Sequence, residues 1–228
     1  MQRRTDLFVL VAMLAVANVM SNRVLPDWTY LPWNLSVAVA LAVSARRLGL
    51  SREELGWHQW RRGAAFGATL ALLTLTALLI GLAVPALDGV YEDDRVDGAV
   101  AIMLYHVFVR IPFGTVVLEE LAFRSVLPAA ATRHVGVMRG SVVASVLFGL
   151  WHVLPALGLG DVNPVFEDVF GTGVWGTIAA VTFAVLGTTI VGLWWCWLRH
   201  WSGSILTTIV AHVSSNSMAY ALAWWVGR

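Results

Sequence analysis

Residues 99–124 read AVAIMLYHVFVRIPFGTVVLEELAFR, and this stretch decides the fold. Its first 24 residues are apolar enough and long enough to cross a bilayer, since about 20 mostly apolar helical residues span the hydrocarbon core. Yet the stretch carries His106, Arg110, Glu119, Glu120 and Arg124. A helix of this kind is stable only where its ionisable groups meet partners inside a bundle. Working outward, six further apolar runs lie at about 7–22, 28–45, 63–87, 140–159, 172–198 and 203–227, and all six are free of charge. The whole chain is 58% hydrophobic and 13% charged over 228 residues, with a mean hydropathy of +0.74. A soluble domain carries about twice that share of charge. Too few charged groups are present to cover a globule in water, which excludes a soluble enzyme or binding module. The fold class expected is all-α: a polytopic membrane helix bundle of about seven transmembrane helices.

The loops set an orientation, because Arg accumulates on the cytoplasmic side of a membrane and acidic residues have little say. Arg3 and Arg4 place the N-terminus in the cytoplasm, and Arg46, Arg47, Arg52, Arg61 and Arg62 form a basic inside loop. Asp88, Glu92, Asp93, Asp94 and Asp97, against one Arg95, fall outside, as do Arg23–Asp27 and the later Asp161, Glu167 and Asp168. Arg133 and Arg139 return inside, then Arg199 and His200, which leaves Arg228 out after a seventh span. Ala15-Val16-Ala17 also fits a signal-peptidase site, but the reading adopted keeps the first helix. The segment 48–60 is expected to form an interfacial helix, capped by Ser51 before Glu53 and Glu54, with Trp57 and Trp60 in the headgroup zone. All 15 basic residues are Arg, a coding bias that suggests a bacterial cytoplasmic membrane. Cys196, the single cysteine, excludes an intrachain disulfide and reads as a small packed hydrophobe.

Ionisable side chains in a bilayer cost about 2.5 kcal/mol or more each, so those present are functional candidates. The fourth run holds the five named above, the fifth holds His152, and the seventh holds His212 and Asn216. Glu120 and Arg124 lie four apart on one helix face and read as an ion pair. Glu119, about 100° round the helix, is the freer carboxylate. His212 and Asn216 share a face, as do Phe148 and His152. This inventory suits amide hydrolysis: Glu119 as base toward water, His152 sharing the proton, His212 and Asn216 donating to an oxyanion. Equally, Glu119, His152 and His212 form a two-histidine, one-carboxylate set able to hold Zn²⁺. The residues alone choose neither. Against both stands a bland reading, in which each His or the Glu120–Arg124 pair is only a helix-packing contact. His106 and Arg110 have no matching partner spacing and read as structural or unassigned, and Pro112 as a kink.

Three motifs in order, EExxxR at Glu119–Arg124, FxxxH at Phe148–His152 and HxxxN at His212–Asn216, resemble the CPBP family of intramembrane endopeptidases, the CAAX prenyl protease and bacteriocin-processing family also called ABI. The resemblance covers about residues 118–220 and divides the single membrane domain into N-terminal helices with a cytoplasmic interfacial loop, 1–98, and a catalytic bundle, 99–228. It implies that Glu119 and His152 activate water, that His212 and Asn216 stabilise the oxyanion, and that Glu120, Arg124 and Phe148 support them. It implies a membrane-associated or lipidated peptide or protein as substrate, with the site toward the cytoplasmic side, and leaves zinc or a metal-free glutamate mechanism open. It also admits a non-catalytic scaffold, an immunity protein or a small transporter. Other intramembrane proteases fit less well: Gly158-Leu159-Gly160-Asp161 mimics an aspartyl protease motif in an outside loop, and no HExxH is present. Membrane lipid is the other expected partner. The Arg loops are explained by topology and anionic lipid, so no nucleic acid is expected. Nothing in the sequence sets an oligomeric state.

Overall fold

A computed structural model describes residues 2–93, 96, 98–159 and 163–228. The loop residues Asp94, Arg95, Asp97, Gly160 and Asp161, and the side chains of Arg3 and Arg4, lie outside what is described. Apart from one isolated antiparallel bridge, Trp57 to Ser204, the regular structure of the described residues is helical: α1 (Gln2–Val19), α2 (Tyr30–Arg47), α3 (Trp60–Leu82), α4 (Val100–Val135), α5 (Val137–Ala156), the short α6 (Pro164–Phe170), α7 (Gly173–Ser202) and α8 (Ile205–Val226). Each of the seven expected runs falls on one of the long helices. Five helical segments are long and apolar enough to cross a membrane: Asp6–Val24, α3, α4, α5 and α7. The other two, α2 and α8, carry the polar residues that face the interior, among them Asn34, Thr207, Thr208 and His212. In α8 the polar core residues lower the hydropathy, and in α2 the exposed Arg46 and Arg47 of its last turn do so as well.

The bundle is inverted relative to a soluble protein. Phe8, Leu72, Phe183 and Ile190 are more than half exposed, while Glu120, Arg124, Ser125 and Thr207 are fully buried. That distribution places lipid outside and a polar cluster within. α3 runs along α8, α5 packs between α7 and the second half of α4, and α8 also crosses the middle of α4. Gly63 and Gly67 permit the close α3–α8 approach. A methyl group added at Gly67 would meet Val210 Cβ at 2.7 Å, and one at Gly63 would meet Ser204 Oγ at 2.5 Å.

Helix α4 continues past the expected end at residue 122 and stops at Val135, before Gly136 in a left-handed conformation (φ 82°). Two segments of it, His106–Val116 and Leu121–Val126, are wound wide, and each closes on an amide that bonds five residues back, Val117 to Pro112 and Leu127 to Ala122. Proline explains where the missing bonds are replaced. Pro112 offers no N–H to the carbonyl of Val107, which accepts instead from Ser217 Oγ of α8 at 2.9 Å. Pro128 likewise leaves the carbonyl of Phe123 to the thiol of Cys196, at 3.6 Å. Asn34 of α2 donates to the carbonyl of Gly114 at 2.8 Å. Buried carbonyls freed by the wide turns are therefore served by side chains from neighbouring helices, which pins α4 inside the bundle.

The segment between α2 and α3 differs from the expected interfacial helix. Ser51 and Glu54 do form a reciprocal cap, Glu54 N to Ser51 Oγ at 3.1 Å and Ser51 N to Glu54 Oε2 at 2.7 Å. However, one turn later Gly56 adopts φ 70° and the chain leaves the helical path. Gly56 O accepts from Ile205 N at 2.9 Å, the Trp57 indole donates to Ser125 Oγ at 3.0 Å, and Arg199 donates to the carbonyl of Glu54. Tertiary hydrogen bonds outcompete the continued helix, and Trp57 is tied to α4 instead of lying free in the headgroup zone. Arg133 completes the clamp through Glu54, at 2.6 Å to each carboxylate oxygen. This bidentate pair and the Ser51 cap hold the Glu54 carboxyl down at about 2, against 4.5 for the free side chain.

Candidate active site

Glu119 and Glu120 sit between the two wide segments of α4, and both are buried. Adjacent residues on a helix diverge by about 100°, so the two carboxylates approach His212 of α8 from different sides. His212 Nδ1 lies 2.9 Å from Glu120 Oε1, and its Nε2 lies 3.8 Å from Glu119 Oε2. A carboxylate only accepts, so Nδ1 carries the hydrogen, and Nε2 is turned toward Glu119. The imidazole is boxed by Trp195, ring centres 4.5 Å apart, and by the edge of Phe148 at 6.4 Å.

Glu120 and Arg124 form the expected pair, Oε1 to Nε at 3.6 Å, with neither side chain exposed. The guanidinium also lies 3.8 Å over the Phe148 ring centre and 4.9 Å from that of Trp195. Two aromatic faces therefore share a cation that a single carboxylate would leave poorly compensated. Phe148 thus touches Arg124, His152 and His212 at once, which explains an aromatic at the head of its motif.

His152 ends the regular part of α5. Its amide turns to the carbonyl of Gly149 at 3.0 Å, and its ring Nδ1 takes the carbonyl of Phe148 at 2.8 Å. A carbonyl cannot donate, so Nδ1 is again the protonated nitrogen and Nε2 is left for chemistry. His152, His212, Ser215 and Asn216 line one wall of a cavity of about 500 Å³. Leu70 of α3 and Phe183 of α7 line other parts, so this largely apolar space runs between helices whose outer faces meet lipid.

Four of the sequence candidates, Glu119, Glu120, Arg124 and His212, form one contiguous cluster with Phe148. His152 meets this cluster through Phe148 and lines the cavity with His212 and Asn216, and among the described residues no ion pair joins His152 to Glu119 within 4.0 Å. The zinc set therefore finds no support. Among the described residues no group of three His, Cys, Asp or Glu side chains is placed to hold a metal ion. One Glu119 oxygen is also engaged by the Trp151 indole at 3.0 Å. That tryptophan and Trp195 escape a reading of the sequence, since a tryptophan in an apolar run carries no polar signal. Arg110 lies over the ring of Tyr30 at 4.3 Å, and His106 stacks on Tyr220 at 4.8 Å.

Fold and site together define a class of polytopic helical bundle with a buried pair of glutamates addressed by a histidine from another helix. The Rce1-like type II CAAX prenyl endopeptidase family matches residues 99–218, more than half of the chain, and the chain belongs to that family. The family's activity implies a protease and a protein or peptide substrate. The match includes all seven residues named from the motifs and leaves α1, α2 and α3 outside. No curated protein and no solved structure matches the chain.

Proposed function

We propose that the protein is an intramembrane endopeptidase that hydrolyses a peptide bond of a membrane-associated or lipidated peptide or protein with a water molecule activated by Glu119. The observation that carries this reading is the facing of Glu119 Oε2 and His212 Nε2 across 3.8 Å in a buried site. Both atoms accept. A water placed about 2.8 Å from each donates both hydrogens, which turns its oxygen lone pairs outward for attack. Glu119 removes a proton as the carbon–oxygen bond forms, and Glu120 steadies the imidazole of His212 by holding Nδ1–H. His152 and Asn216, on the wall of the cavity, serve the reacting carbonyl: Asn216 donates to the oxyanion and His152 handles the proton that reaches the leaving amine.

The apolar cavity suits a substrate that arrives from the lipid phase. The topology proposed has seven spans, α1 to α5 with α7 and α8, and the N-terminus in the cytoplasm. The loops rich in Arg then share the cytoplasmic side with the active site, in a bacterial cytoplasmic membrane.

The test is cleavage in vesicles containing the full chain, with quenched fluorescent peptides anchored either by a prenylated C-terminal Cys or by an apolar helix. Loss of at least about 100-fold in Glu119→Gln and His212→Ala is expected, the usual scale for removing an acid–base group. Cleavage that persists in both variants overturns the reading. A parent that cleaves neither peptide class leaves the scaffold role as the better account of the same cluster.

A further inference from the structure

We propose that Trp151 is the positioning residue that orients Glu119, and that Asn18 of α1 holds Trp151 in place for that purpose; the proposal rests on the peptidase reading above. A carboxylate turns freely about its last torsion, with two equivalent oxygens to present. The Trp151 indole Nε1–H donates to Glu119 Oε1 at 3.0 Å. An indole can only donate, so it fixes one oxygen and leaves Oε2 facing His212 Nε2. The rest of the indole packs edge-on against Phe123, ring centres 5.6 Å apart, which holds the donor in place.

The backbone of Trp151 is set by a second device. Its carbonyl would normally take the amide of residue 155, but that residue is Pro155. Asn18 Nδ2 donates to this carbonyl at 2.8 Å, and Asn18 itself is only 7% exposed. Asn18 lies outside the family match at 99–218, so a helix outside the matched region reaches the catalytic glutamate through one tryptophan. Trp151 is not among the residues lining the cavity that holds His152 and Asn216. It lines a separate apolar space of about 340 Å³ with Leu14, Asn18 and Leu150. It therefore acts on the reaction through Glu119 and not by touching substrate.

The experiment uses the full chain in lipid nanodiscs, with nitrogen-15 in tryptophan and histidine rings. Trp151 is replaced by benzothienylalanine, which exchanges the indole N–H for sulfur and keeps the shape, and separately by Phe. The indole resonance lost in Trp151→Phe is expected to move in Glu119→Gln, and the ring resonances of His212 to change in the sulfur variant. On a cleaved membrane peptide, the sulfur variant is expected to lower kcat by about 10-fold or more with KM held within about 2-fold, the signature of a lost charge-assisted hydrogen bond made in the transition state. Asn18→Leu is expected to lower kcat in the same direction by a smaller factor. An indole signal indifferent to Glu119→Gln, unchanged His212 signals, or unchanged kcat in the sulfur variant would each overturn the proposal. If the parent cleaves no peptide, the peptidase reading fails by itself, and the two resonance measurements still decide whether Trp151 orients Glu119.

Discussion

Glu120 holds the Nδ1 hydrogen of His212 at 2.9 Å while pairing with Arg124 at 3.6 Å, so one fully buried carboxylate serves two helices at once. Both carboxylates of the motif are thereby separated in role. In the proposed reaction Glu120 is committed to structure, and Glu119 keeps one oxygen for the water.

This relationship makes Glu120 more costly to replace than Glu119. Glu120→Ala leaves Arg124 buried without its carboxylate, and breaking a buried pair typically costs about 3–5 kcal/mol. The expected result is a large drop in thermal stability in detergent together with lost cleavage. Glu119→Gln, by contrast, keeps the volume and the contact with Trp151 and is expected to melt close to the parent. Equal stability of the two variants, read by a thermal unfolding assay, contradicts the division of roles.

The loop clamp gives a pH dependence at a site away from the catalytic cluster. The Glu54 carboxyl is held at about 2 by Arg133 and the Ser51 cap, against 4.5 for the free group. A depressed carboxyl stabilises the folded state fully above the unfolded value and loses that contribution as pH falls through the folded one. The clamp is therefore expected to weaken between about pH 4.5 and 2. Both side chains are one-third exposed, so solvent screening limits the contribution to about 1 kcal/mol. Proteolytic nicking of residues 48–59 should rise over that range in the parent and be high already at neutral pH in Arg133→Ala.

Gly187 lines the large cavity, and a side chain there would meet no atom within 4 Å at its Cβ. Gly187→Leu is expected to fold as well as the parent, within about 0.5 kcal/mol, while narrowing the space. Cleavage of peptides with bulky lipid anchors should fall, chiefly through KM, and that of peptides with slim anchors should change little. Uniform loss across both sets argues that the cavity does not receive the anchor.

Gly67 tests the packing of α8, which carries His212. Gly67→Leu pushes into Val210, since even a methyl group there comes within 2.7 Å of its Cβ. Overpacking of this kind costs about 1–3 kcal/mol. The expected outcome is lowered stability with cleavage reduced in parallel, measured by thermal unfolding and by the vesicle assay.

Much of this was legible in residue order because lipid makes ionisable groups conspicuous. The apolar runs located the seven long helices, and the EExxxR, FxxxH and HxxxN spacings named the family, since four-residue steps share a helix face whatever the bundle does. The spacing of Glu120 and Arg124 announced their pair for the same reason. The capped turn at Ser51 was readable too, but not its failure to continue as a helix, because that depends on Arg199, Ser125 and Ile205, far along the chain.

What only the tertiary structure decided is how the helices meet. Which histidine faces Glu119, the engagement of Trp151, the aromatic faces around Arg124 and the pairing of proline-freed carbonyls with Asn18, Ser217 and Cys196 all join residues on different helices. A tryptophan or a serine in an apolar run looks the same whether it anchors, packs or donates to a catalytic carboxylate. Periodicity reports the face a side chain occupies, whereas its partner is set by helix packing, where small residues such as Gly67 and unpaired carbonyls choose the neighbour.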